Sequence, residues 1–229
     1  MDTSCLQYAL TEEERQQFEM DGFLVVRDVL PAEMVAELIP VVDRLDAEYR
    51  PKMELADSEM LNLFDFIGKD ALFLPLLDWP KTFAKVFGIL GWHIQLYHSH
   101  MIVTPPLNGA EPKRKRLGWH QDSGRLNMDF ATDPRPRVSF KVAFFLTDCT
   151  DTDRGNFQRC PAHICATRWR CPLMGTPTQR GRCRYGWRPA TRCFLTGGFG
   201  MRLATTIHPT HAKCCFMGIA IVGCGRATI

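Results

Sequence analysis

His120 and Asp122, in Gly118-Trp119-His120-Gln121-Asp122, are the residues of this chain whose types and spacing point most directly to chemistry. On an extended strand, residues i and i+2 project to the same side, so an imidazole and a carboxylate at this spacing can converge on one point. That donor pair suits Fe(II), and two histidines with one carboxylate on one face leave positions for a cosubstrate and dioxygen. A His-x-Asp on its own also describes an ordinary surface turn, so its surroundings have to decide between the two.

Those surroundings read as a buried β-structure. Ile94 to Val103 forms a strand closed by Thr104-Pro105-Pro106, with Ile94, Leu96, His98, His100 and Ile102 expected on one face. Val138 to Leu146 reads as a second strand, and Asp148 to Arg154 as a polar turn before Gly155-Asn156-Phe157. Nearer the start, Thr11 and Glu14 form a capping box for a helix to about Met20. Gly22 is placed to end that helix before the apolar run Phe23-Leu24-Val25-Val26. Pro31 can open a second helix with Val35, Leu38, Ile39, Val42 and Leu45 on one face, and Pro40 is expected to kink or interrupt it.

With these segments in place, the chain resembles the phytanoyl-CoA dioxygenase-like oxygenases, which use Fe(II) and 2-oxoglutarate. The resemblance runs from about residue 11 to 157. It rests on Asp21 to Val26, His100-Met101-Ile102-Val103, Trp119-His120-Gln121-Asp122 and Arg154-Gly155-Asn156-Phe157. It implies N-terminal helices followed by a mainly β jelly-roll barrel, the double-stranded β-helix. It further implies iron held by His120, Asp122 and a second histidine far downstream, and an arginine about ten residues beyond that histidine pairing with the far carboxylate of 2-oxoglutarate. His100 is similar in position to a residue lining the cosubstrate pocket. An inward strand histidine satisfied by a neighbour fits it equally.

Past Phe157 the pattern breaks. Residues 1–157 hold all 25 acidic residues against 17 Lys plus Arg, whereas residues 158–229 hold no acid, 11 Lys plus Arg and eight of the ten cysteines. This tail has no Cys-x-x-Cys pair and no dense basic run, which argues against a zinc finger and against nucleic acid as a partner. Translation in a shifted reading frame explains it better. Codons built from the third base of one residue and the first two of the next can spell Pro-Gly-Ser-His-Leu-Arg across Cys160 to Ala166. They can also spell a Leu-Trp-His-Ala segment ending at Arg202, and Arg-Lys-Val-Leu-Phe-Tyr-Gly across His211 to Gly218.

On that reading the distal histidine codon spans Gly200 and Met201 and the cosubstrate arginine codon spans His211 and Ala212, so neither residue exists in frame. No pattern selects a substitute among His163, His208 and His211; His208 is kept as the candidate. The barrel is therefore expected to be incomplete, with the tail lacking replacement strands and poorly ordered.

The remaining features set modest bounds. The hydrophobic content of 45% over 229 residues suits a single domain with a sizeable core. No run approaches the roughly 18 apolar residues of a membrane span, and Met1 to Cys5 lacks the features of a signal peptide. A cytoplasmic protein acting on a small-molecule substrate, without membrane or nucleic-acid partners, is the expectation; oligomeric state is open. Lys113 to Arg116 reads as a solvated loop. A non-catalytic β-barrel binding protein, in which His120 and Asp122 are vestigial, stands as the alternative to the enzyme.

Overall fold

The structure is a computed structural model that describes residues 3–106 and 139–149, together with the strand segments 157–159, 183–184, 192–196, 201–203 and 212–221. Thr11 caps α1 (Glu12–Asp21): its side chain accepts from the Glu14 amide while the Glu14 carboxylate accepts from the Thr11 amide. Gly22, at φ 72°, closes the helix in the left-handed region that glycine adopts without a Cβ penalty. The chain then enters β1 (Phe23–Arg27).

Helix α2 (Ala32–Lys52) buries Val35, Leu38, Val41, Val42 and Leu45, with Ile39 half-buried. Pro40, expected to kink or interrupt this helix, lies inside it without interrupting it. Pro40 is exposed, so its missing N–H falls on the solvated side, where water can satisfy the freed carbonyl.

Strand β2 (Leu61–Phe64) and helix α3 (Pro80–Leu90) have no counterpart in the sequence reading. Helix α3 begins with proline at its first turn, where no amide partner is lost. It docks through a Lys85–Glu14 ion pair at 2.7 Å and an Arg15 Nη2 hydrogen bond to the Gly88 carbonyl at 3.0 Å. Trp79, just before it, donates its indole N–H to the Val29 carbonyl at 2.8 Å.

The long strands β3 (Ile94–Thr104) and β4 (Ser139–Phe145) match the expected positions. Five further strands follow: β5 (Phe157–Arg159), β6 (Cys183–Arg184), β7 (Arg192–Thr196), β8 (Met201–Leu203) and β9 (Ala212–Ile221). A six-stranded antiparallel sheet has the order β1-β7-β4-β9-β3-β2, and a three-stranded sheet the order β6-β5-β8.

The tail thus contributes strands, which corrects the expectation that it has none to offer. In sheet order β9 lies between β3 and β4 and β7 between β1 and β4. Alternation is a poor guide to β9, because Cys214 to Ile221 is a continuous run of apolar and small residues.

One face of the large sheet carries Leu24, Val26, Leu61, Leu63, Met101, Val103, Phe140, Val142 and Phe144, which join Phe18 and the α2 side chains in one hydrophobic cluster. Phe18 and Phe140 meet with ring centroids 5.7 Å apart. The buried residues Phe23, Ile102, Ala143 and Phe145 are outside that cluster, as alternation along β1, β3 and β4 requires: they belong to the opposite face.

A candidate site on the inner sheet face

The histidines of β3 reach this second face through an irregularity. Leu96 pairs with Ile219, but the next pair is His98 with Gly218, so Tyr97 is one extra residue in the register. Such a bulge resets which side the following residues face. Ile94 consequently packs against the helix-side cluster, and Leu96 shares a row with the core residue Phe140. His98, His100 and Ile102 instead share rows with Lys141, Ala143 and Phe145. The five-residue face expected from sequence is therefore split at Tyr97.

Strand β2 completes the group. Phe64 pairs directly with His100, their rings stacked at 6.1 Å with an interplanar angle of 16°, and lies 5.3 Å from the His98 ring. The two imidazoles are 4.7 Å apart. His100 Nδ1 is 3.0 Å from Asn62 Oδ1. With that oxygen accepting, Nδ1 carries the proton, and Nε2 is the acceptor side of the ring.

Burial first, then the charges of His98 and Lys141, together lower the His100 pKa from 6.5 to about 3. His100 is therefore a neutral imidazole at ordinary pH.

Across the sheet, Lys141 occupies the same row as Gly218 and His98. Its side chain is buried, and Nζ lies 5.0 Å from the centre of the Tyr97 ring. The face is graded: Phe64 and Tyr97 are exposed, His98 and His100 half-buried, and Ile102, Lys141, Ala143 and Phe145 buried. This face thus carries two exposed aromatic rings, two half-buried imidazoles and a buried cation.

Among the described residues, no group of three or more His, Cys, Asp or Glu side chains can hold a metal ion. Lys141 beside His98 and His100 would itself repel a cation. His120, Asp122 and His208 lie outside the described residues, as does the basic segment Lys113 to Arg116. His100 is the one candidate site residue from the sequence that the structure positions, and it stands on the inner face. Asn62, Phe64, Tyr97 and Lys141 were missed. The Leu61-Asn62-Leu63-Phe64 alternation was the signal available for two of them.

An antiparallel two-sheet fold with N-terminal helices and a polar inner wall defines a class, and comparison with known proteins identifies it. The profile of the phytanoyl-CoA dioxygenase (PhyH) family matches residues 18–155, more than half of the chain. The chain belongs to that enzyme family. HygX from Streptomyces hygroscopicus, solved with nickel and 2-oxoglutarate bound, is similar in structure with a TM-score of 0.72 at 15% identity, covering 93% of this chain and 88% of that one. EctD from S. alaskensis with bound Fe gives 0.67 at 18% identity, covering 92% and 76%. The epimerase SnoN of nogalamycin biosynthesis, described as non-heme and alpha-ketoglutarate dependent, gives 0.66 at 16%, covering 92% and 82%. No curated protein sequence matches. Among the described residues, no helix is long and apolar enough to cross a membrane.

Proposed function

We propose that the chain represents an Fe(II)/2-oxoglutarate-dependent dioxygenase that hydroxylates a small organic or acyl substrate with release of succinate and CO2, on a double-stranded β-helix barrel. The carrying observation is the family match over residues 18–155, which spans both His120-x-Asp122 and the β3–β4 wall with its neutral His100. Iron and 2-oxoglutarate in structures of similar fold support the same reading.

In this reading His120 and Asp122 hold the iron, which supplies oxygen activation when bound. His100 lines the cosubstrate pocket. Held by Asn62 as the Nδ1–H tautomer, it adds a hydrogen-bond acceptor without adding charge. Ile102, Ala143 and Phe145 keep water from the inner end of the wall. A cytoplasmic setting accords with a ferrous site.

The chain as written is impaired. Its acid-free tail from residue 158 is read out of frame, so the distal histidine and the cosubstrate arginine are missing and His208 is the remaining in-frame candidate. Losing a direct iron ligand should cost more than the 10–100-fold typical of supporting residues. The test is succinate formation from 2-oxoglutarate with added Fe(II). Slow turnover that His120→Ala abolishes agrees with the reading, and turnover indifferent to His120→Ala overturns it.

A further inference from the structure

Strand β2 lies at the edge of the large sheet, and the side chains it turns toward His100 do little for the core: Phe64 is 53% exposed and Asn62 half-buried. We propose that Asn62 and Phe64 are positioning residues, which fix the tautomer and the ring plane of His100, with the turn at Asp65 holding them in register. This deepens the reading in which His100 lines the cosubstrate pocket, and rests on it only for what the positioning serves.

Three observations carry the inference. First, Asn62 is the diagonal neighbour of His100 across the β2–β3 ladder, and its Oδ1 lies 3.0 Å from Nδ1. An amide oxygen only accepts, so a neutral ring in this pose carries its proton on Nδ1. Turning the ring over would put a carbon opposite Oδ1 and forfeit the bond. The partner of Nε2, whether a group of the chain or of a bound molecule, then has to donate.

Second, Phe64 stands directly opposite His100 in the ladder, with the two rings 6.1 Å apart and inclined by 16°. Rotation about the last side-chain bond of a histidine is broad, so a near-parallel neighbouring ring selects the plane that the Asn62 bond needs. The other described ring contact of Phe64 is also with an imidazole, that of His98 at 5.3 Å.

Third, the backbone turns left-handed immediately after Phe64, at Asp65 with φ 54°. This conformation is uncommon outside glycine and persists where the surroundings fix it. The Asp65 amide donates to the Ser99 carbonyl at 2.8 Å, and Ser99 lies between the two histidines. The end of β2 is thereby tied to β3 at the level where Phe64 meets the imidazoles.

The tautomer is read directly from imidazole nitrogen shifts of the full chain, labelled with 15N, at pH 7.5 without metal or cosubstrate. His100→Gln identifies the signals. The unaltered chain is expected as the Nδ1–H form. Loss of the hydrogen bond in Asn62→Leu should lower the ratio of Nδ1–H to Nε2–H roughly tenfold or more. Asn62→Asp, whose carboxylate also accepts only, should restore it, and Phe64→Leu should lower it several-fold.

Should Asn62→Leu not fold, Asn62→Asp carries the test alone. Its charge should raise the pH at which His100 takes up a second proton by about one unit or more. An Nε2–H unaltered chain, an unchanged ratio in a folded Asn62→Leu or Phe64→Leu, or an unchanged titration of His100 in Asn62→Asp overturns the proposal. Because no iron, 2-oxoglutarate or turnover is involved, the expected tautomers in a chain that forms no succinate would leave the positioning standing and reject the oxygenase reading.

Discussion

His100 makes acid sensitivity of the fold a quantitative expectation. In the unfolded chain an exposed histidine titrates near 6.5, whereas in the folded protein burial, then His98, then Lys141, take its pKa down to about 3. The folded state therefore refuses a proton that the unfolded state accepts. The stability contribution of neutral His100 is intact above pH 6.5 and is lost as pH falls from there toward 3. At pH 5 the unfolded chain has gained about 1.5 pH units of protonation free energy, or about 2 kcal/mol at 1.36 kcal/mol per unit. That figure depends on the unfolded value alone once the folded pKa is well below 5, so the precise depth of the depression does not matter.

His100→Gln keeps a side-chain donor for Asn62 and removes the titration. Urea denaturation of both proteins at pH 7.5, 6 and 5 isolates the term, because other ionisable groups contribute alike to each. The unaltered chain is expected to lose about 2 kcal/mol more than His100→Gln between pH 7.5 and 5. Parallel stability profiles would refute a buried, neutral His100.

Two further perturbations test the helical layer that backs the sheet. A Cβ built on Gly88 would lie 2.7 Å from the Leu10 Cβ, so Gly88→Ala should destabilise by about 1–3 kcal/mol despite alanine's better helix propensity, read as a lowered thermal midpoint. Pro40→Ala should act in the opposite direction, restoring an N–H and relieving the clash one turn back in an exposed part of α2. Its denaturation midpoint should rise by an amount corresponding to about 1–3 kcal/mol, and a fall would mean that the proline is shaping the helix usefully.

Legibility in the sequence followed the range of the interactions involved. Helix α1 was readable to within a residue because its start and stop are local: Thr11 and Glu14 satisfy each other's amides, and Gly22 takes the left-handed turn. Strands β3 and β4 were readable from apolar content. The bulge at Tyr97 was not, since an extra residue is defined only against the register of β9, more than a hundred residues away. That hidden irregularity is why the single face expected from Ile94 to Ile102 is split, with Ile94 and Leu96 on the helix side and His98, His100 and Ile102 on the other.

Strand β2 is four residues long and sits at a sheet edge, too short for its alternation to stand out, and with it Asn62 and Phe64 went unrecognised. Lys141 was seen only as part of a strand, because a lysine in an apolar run signals nothing until the sheet places it against Tyr97. Strand β9 was missed for another reason: Cys214 to Ile221 is a continuous apolar and small run with no alternation to read.

The most direct measurement is succinate formation by two versions of the chain, one as written and one in which a single-base correction near codons 155 to 160 restores the alternative tail frame, each with and without His120→Ala. If His120 and Asp122 are two of three iron ligands and the third lies in the shifted frame, the corrected chain should turn over 2-oxoglutarate roughly 100-fold faster or more than the written one, with His120→Ala abolishing it. Equal rates for the two chains, or a rate unchanged by His120→Ala, would contradict it.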